Sequence, residues 1–85
     1  MNKLKDLRKQ IDKVDEELLK FVGQRLQIVK EIGKYKRKNK VPVFDPIREQ
    51  DKLNGLEKMG KKNNVDRRSI EMVWRTLFNI SYEKE

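Results

Sequence analysis

The 85-residue chain has no cysteine and no histidine. Without cysteine it can form neither a disulfide nor a thiolate metal site. Without histidine it lacks the commonest general base and the commonest metal ligand. Its chemistry is left to Arg, Lys, Asp, Glu, Ser, Tyr and backbone groups. Aromatic residues are scarce, at 7%. No apolar run is long enough for a membrane span or a secretory signal, so the sequence reads as soluble and cytoplasmic with no membrane partner. Proline occurs twice, and both copies lie in one stretch, "VPVFDPIREQ", residues 41–50. What remains is 42% charged and 35% hydrophobic. That balance is polar for a globular monomer but ordinary for helices that each bury one stripe. The length fits one small domain with a modest core.

The net charge is +8. A surplus of that size favours anionic partners: nucleic acid, acidic lipid or small polyanions. Taken alone, it is met as simply by a well-solvated lysine-rich surface.

Leu4, Leu7, Ile11, Val14, Leu18, Phe21, Arg25, Ile28, Ile32 and Tyr35 recur at alternating spacings of three and four. This heptad-like stripe predicts one helix from about Lys3 to about Lys38, on the order of 50 Å long. The rod outruns a compact domain of this length, whose radius of gyration would be about 12 Å. Two shorter helices cannot cover its whole stripe, so a second copy of the chain is the simplest cover and a homodimer is expected. Val41 to Phe44 form a connector, because residues preceding proline are pushed out of the α region. Asp45 suits an N-cap with Pro46 at the first helical position. The second helix is predicted over 46–59, with Gly60 as its stop and Leu53 and Leu56 buried. Lys61 to Val65 read as a polar turn. A third helix over about 66–83, capped by Asp66, carries the stripe Ile70, Val73, Trp74, Leu77 and Ile80, with Ser81 at its border. The fold class is all-α, a three-helix protomer with one long N-terminal helix.

Polar residues within apolar stripes carry the functional signal. Arg25 sits at a heptad core position, where a charge is costly unless paired. It either snorkels, meets a glutamate, or binds an anion inside a bundle. Lys36 follows eleven residues later, about 20° around the helix and roughly 16 Å along it, so both cations could lean toward one small anion. Lys34, Arg37, Lys38 and Lys40 read as a solvated basic helix end. Arg8 lies about 25 Å from Arg25 along a straight helix and could join it only from the partner chain of an antiparallel dimer. Otherwise it is a surface arginine. Past the prolines, Arg48 offers a planar fork suited to a carboxylate. Glu49 can accept from a hydroxyl or hold a cation. The helix N-terminus that carries them brings free N–H groups and a positive dipole. Both residues are equally compatible with a plain amphipathic surface.

The runs "LRKQIDKVDEELLKFVGQRLQIVKEIGKYK", "VPVFDPIREQDKL" and "NNVD" with a closing helix together resemble the all-helical class of chorismate mutases. The resemblance spans essentially the whole chain. Its most specific parts are L-R-x-x-I-D-x-x-D, the Q-R…V-x-E-I-G-x-x-K run, and D-P-x-R-E. It implies an intertwined homodimer with two equivalent sites and a Claisen rearrangement of chorismate to prephenate, on the route to phenylalanine and tyrosine. It implies no cofactor and no metal. Arg25 and the partner chain's Arg8 would clamp the two carboxylates. Lys36 would donate to the ether oxygen. Arg48 would support a carboxylate and position Glu49, while Glu49 and the Asp45 backbone would hold the ring hydroxyl. Ser81 would bind nearby. Glu85 falls beside the ether oxygen, where relatives carry glutamine or glutamate. An ionised Glu85 would repel the charge developing there, so it is expected to act protonated, with activity falling as pH rises through its titration.

The chemistry suits the residue inventory. The rearrangement needs no nucleophile and no proton transfer; it needs a flexible dianion held in a reactive shape and positive charge near the breaking C–O bond. Three other readings remain: an isochorismate-pyruvate lyase on the same scaffold, a non-catalytic regulatory module, and a basic dimer on nucleic acid. Nucleic acid is discounted as a partner, because an arginine in a core heptad position has no role on a DNA-facing surface.

Overall fold

Three helices, α1 (Lys3–Asn39), α2 (Pro46–Asn63) and α3 (Arg67–Lys84), make up the computed structural model, which describes residues 2–85. Each start is set by a side chain that takes an otherwise unpaired backbone N–H. Asn2 accepts from Lys5 N at 3.1 Å, Asp45 from Arg48 N at 3.0 Å and Asp66 from Ser69 N at 3.3 Å. Pro46 begins α2, where its missing N–H costs nothing. α1 ends in Lys36, Arg37 and Lys38, cations that complement the negative end of the helix dipole. Lys40 then adopts a left-handed conformation, φ 54°, and releases the chain into the connector.

The predicted end of α2 needs correction. Gly60 does not stop the helix, which runs on to Asn63 and is capped by Asn64 at φ 58°. Gly60 is buried instead. A Cβ there would lie 2.5 Å from both Val65 O and Ile70 Cδ1, so the glycine lets the α2–α3 turn fold back against the helix. Asparagine tolerates the left-handed position well, and the stop shifts to it. Most of the predicted polar turn, from Lys61, therefore belongs to α2.

α3 is the middle element. It packs on both α1 and α2, which do not pack on each other. The core is small: Leu53, Leu56, Ile70 and Phe78 are buried, with Trp74 and Tyr82 packed against them. Val73, assigned to the apolar stripe of α3, is 52% exposed, and Phe78 takes the buried place that the sequence reading did not allot. Arg67 ties α2 to α3 by reaching Glu57 at 2.8 Å and Glu71 at 2.9 Å, with Asn54 at 3.1 Å.

The protomer measures 59 × 24 × 16 Å, and its radius of gyration is 16.2 Å. That exceeds the ~12 Å of a compact chain of this length because α1 projects beyond its partners. Leu4, Leu7, Ile11, Val14, Leu18 and Phe21 are all exposed, while Val29 and Gly33 are the buried residues of α1. The heptad stripe is therefore uncovered along residues 4–21, where α1 runs past α3, while Arg25 of the same stripe reaches α3. No described helix is long and apolar enough to cross a membrane.

Candidate active site

A cavity of about 330 Å³ opens between the C-terminal half of α1, the start of α2 and the end of α3. Arg25, Lys36, Asp45, Arg48, Glu49, Ser81 and Glu85 all line it. Seven of the eight residues singled out from the sequence thus converge on one space, although they lie as much as sixty positions apart. Arg8 is the exception. It is exposed on the projecting part of α1 and belongs to no wall of this cavity.

α1 supplies two partly buried cations, Arg25 and Lys36. Arg25 Nη1 donates to Leu77 O at 3.4 Å and to Ser81 Oγ, and Ser81 in turn donates to Leu77 O at 2.7 Å. Ser81 is buried, so its hydroxyl is held by this small network. Arg25 makes no ion pair among the described residues. Burial lowers its guanidinium from the ordinary value, as expected for a cation withdrawn from water without a carboxylate to compensate. An arginine held by neutral oxygens keeps its attraction for an anion.

Lys36 donates to Val43 O at 2.8 Å, and its Nζ lies 2.6 Å from Glu85 Oε1. The lysine and glutamate side chains are 15% and 5% exposed. The approach is a charge contact rather than a directed hydrogen bond, since Glu85 Oε1 is buried and has no hydrogen-bond partner among the described residues. Glu85 is seated by its backbone. Arg37 Nη1 donates to its carbonyl oxygen, and Gly33 leaves the space, because a Cβ at Gly33 would lie 2.5 Å from Glu85 O and 2.8 Å from Glu85 Cα. Arg37, read from sequence as a solvated cation of the basic helix end, is thus corrected to an anchor for α3.

α2 contributes its first turn. Asp45 spends its carboxylate on the cap, leaving its backbone N–H toward the cavity side. Tyr82 Oη lies 3.4 Å from that nitrogen and donates to Glu49 Oε2 at 3.0 Å. Its ring meets Phe44 edge-on, with centroids 5.5 Å apart. Burial raises the Tyr82 hydroxyl above its ordinary value; the bond from Asp45 N–H opposes this and the bond to Glu49 reinforces it. The hydroxyl is therefore a neutral donor throughout the physiological range.

Sequence reasoning missed Tyr82 and Lys52, both in the cavity wall. The signal for Tyr82 was its place four residues after Phe78, which sets the two aromatics on one face of α3. Lys52 follows Glu49 by three residues and so shares its face.

Fold and cavity together define an all-helical domain whose cavity gathers cations from α1 and α2 against the hydroxyls of Ser81 and Tyr82 and the carboxylates of Asp45, Glu49 and Glu85. The chain belongs to the chorismate mutase type II family, whose model matches residues 7–85. Its relatives include the T-protein of Haemophilus influenzae, 35% identical over 100% of this chain and 22% of that protein. The chorismate mutase of Methanocaldococcus jannaschii is 33% identical over 78% of this chain and 67% of that protein. The bifunctional chorismate mutase/prephenate dehydratase of Aquifex aeolicus is 37% identical over 73% of this chain and 17% of that protein. The chain thus spans about a fifth of the T-protein and of the bifunctional relative.

Proposed function

We propose that this chain rearranges chorismate to prephenate, and that it does so as a homodimer in the cytoplasm. The observation that carries the reading is Arg25: a half-buried guanidinium in the cavity wall that meets a carbonyl and a hydroxyl but no carboxylate. Such a group suits a carboxylate brought by a ligand. Family membership supports the same choice.

Each residue then has a role in holding a dianion folded on itself. Arg25 binds one carboxylate, with Ser81 fixing the guanidinium's orientation. Arg48 faces the cavity from the first turn of α2, where the helix dipole adds to its charge, and supports a carboxylate and Glu49. Glu49 and Asp45 N–H hold the ring hydroxyl. Lys36 donates to the ether oxygen as the C–O bond breaks and negative charge gathers there. A preorganised cation at that point lowers the barrier because it is already oriented when the charge develops. Confinement of the flexible diacid supplies the rest by holding the two reacting carbons within reach.

Arg8 of the partner subunit closes the site on this reading. The apolar stripe of α1 from Leu4 to Phe21 is bare in the protomer, and Arg8 lies on the same stretch. Antiparallel pairing of two α1 rods would cover the stripe and carry Arg8 toward the other chain's Arg25. Sedimentation equilibrium is expected to give the mass of two 10.3 kDa chains. A monomeric mass under conditions where the chain is active would remove Arg8 from the mechanism.

Loss of chorismate absorbance with the purified chain, beside an isochorismate control, tests the activity. No turnover of chorismate would sink the proposal, and preferential release of pyruvate from isochorismate would assign the cavity to a lyase.

A further inference from the structure

Asp45 N–H and the Glu49 carboxylate converge on one point of the cavity wall. A backbone donor beside a charged acceptor suits one kind of group, a hydroxyl, which can accept from the first and donate to the second. In the structure the group at that point is Tyr82 Oη, 3.0 Å from Glu49 Oε2 and 3.4 Å from Asp45 N. We propose that Tyr82 is a specificity-determining residue, whose hydroxyl fills a hydroxyl-binding subsite from within and competes for it with the hydroxyl of a ligand, so that its presence moderates the preference for hydroxylated ligands.

The two bonds are unequal, and the inequality favours exchange. The contact to Glu49 has ordinary length, whereas 3.4 Å to Asp45 N is beyond the usual range for N–H···O. The amide is thus poorly satisfied by tyrosine and gains from an oxygen placed closer. Tyr82 is not caged either. It is only partly buried, and its ring leans edge-on against Phe44, which is itself 64% exposed. A ligand with a hydroxyl replaces both bonds and improves one. A ligand without it must either leave Tyr82 in place and lose cavity volume, or displace it and leave a charged oxygen and an amide unpaired. The second course is penalised by the cost of stranding polar groups. Tyr82 therefore competes with the ring hydroxyl of a ligand and blunts the site's preference for it, separately from the cations that read the carboxylates.

This inference rests on the proposed reading of the cavity as a diacid site, and the test separates the two. Tyr82→Phe keeps the ring and removes the competing hydroxyl. Calorimetric Kd values are compared for chorismate and for the same diacid lacking its ring hydroxyl, on the parent and the variant, alongside steady-state KM for chorismate. The expected result is a KM for chorismate lowered by about three- to tenfold in Tyr82→Phe, the range of one hydrogen bond, with the preference for the hydroxylated diacid rising by the same factor. A purely structural tie between α2 and α3 would instead weaken both ligands together and leave their ratio unchanged. An unchanged or reduced ratio overturns the inference while turnover by the parent leaves the mutase reading standing. Absence of turnover with an increased ratio does the reverse. Binding of neither diacid overturns both.

Discussion

Arg25→Ala is expected to lower kcat/KM for chorismate by about three orders of magnitude while leaving the helical content intact. The size follows from what the residue does. Removing one preorganised donor from a water-poor site commonly costs about 10²- to 10³-fold, and on the proposed reading Arg25 also fixes how a flexible ligand sits. The fold should tolerate the change because Arg25 touches α3 only through Leu77 O and Ser81 Oγ, and Ser81 keeps its own bond to Leu77 O. Removing a cation whose burial is uncompensated by any carboxylate also relieves a desolvation cost. Stability by thermal melt should therefore be nearly unchanged or raised. Arg25→Lys separates charge from shape: a point charge cannot present the planar fork, so most of the loss should remain. Activity within tenfold of the parent in Arg25→Ala would mean that the carboxylates are held elsewhere.

Lys36→Met should be damaging twice over, to activity and to folding. On the proposed reading its ammonium meets the charge on the breaking C–O bond, so kcat should fall by about 10²- to 10³-fold. The same substitution leaves the Glu85 carboxylate, 5% exposed, without its cation. Removing one partner of a buried pair costs about 3 kcal/mol, which for a domain of this size lowers Tm by about 10 °C or more. The two effects come apart in the double variant. Lys36→Met with Glu85→Gln removes both charges and should recover most of the lost Tm, because no buried ion is left unpaired. It should recover none of the lost kcat, because the cation is still missing. Equal recovery of both, measured by melting and by absorbance, would show that Lys36 serves only to hold α1 and α3 together.

Much of this was legible in the primary sequence, and the failures have physical causes. The long first helix followed from a heptad stripe without proline, and the second start from Asp45 and Pro46, because these signals act within a few residues. The end of α2 was misjudged because Gly60 has two possible uses, as a helix stop and as a place of close approach. Only its contact with Val65 and Ile70 decides between them. Arg25 stood out because a charge in an apolar stripe is rare. Arg37 did not, since a cation amid Lys34, Lys36, Lys38 and Lys40 has no local mark to show that it reaches across to α3. Tyr82 was passed over for the same reason: its partners Asp45 and Glu49 lie more than thirty residues away, and nothing in the local pattern of α3 points to them. Glu85 was placed beside the ether oxygen by resemblance; its contact with Lys36 at 2.6 Å depends on a backbone approach that periodicity does not encode.

That approach has a consequence for the gauge of the cavity. At Gly33 the backbone of α1 lies against that of Glu85, the residue that caps α3, with only a hydrogen as the spacer. The clearance between Lys36 and the wall opposite is thus governed by a residue with no functional group. Even one added methyl would act as a shim, tilting the tail of α3 outward and drawing Glu85 away from the lysine. Reach between the two charges is regulated by the bulk that this position withholds.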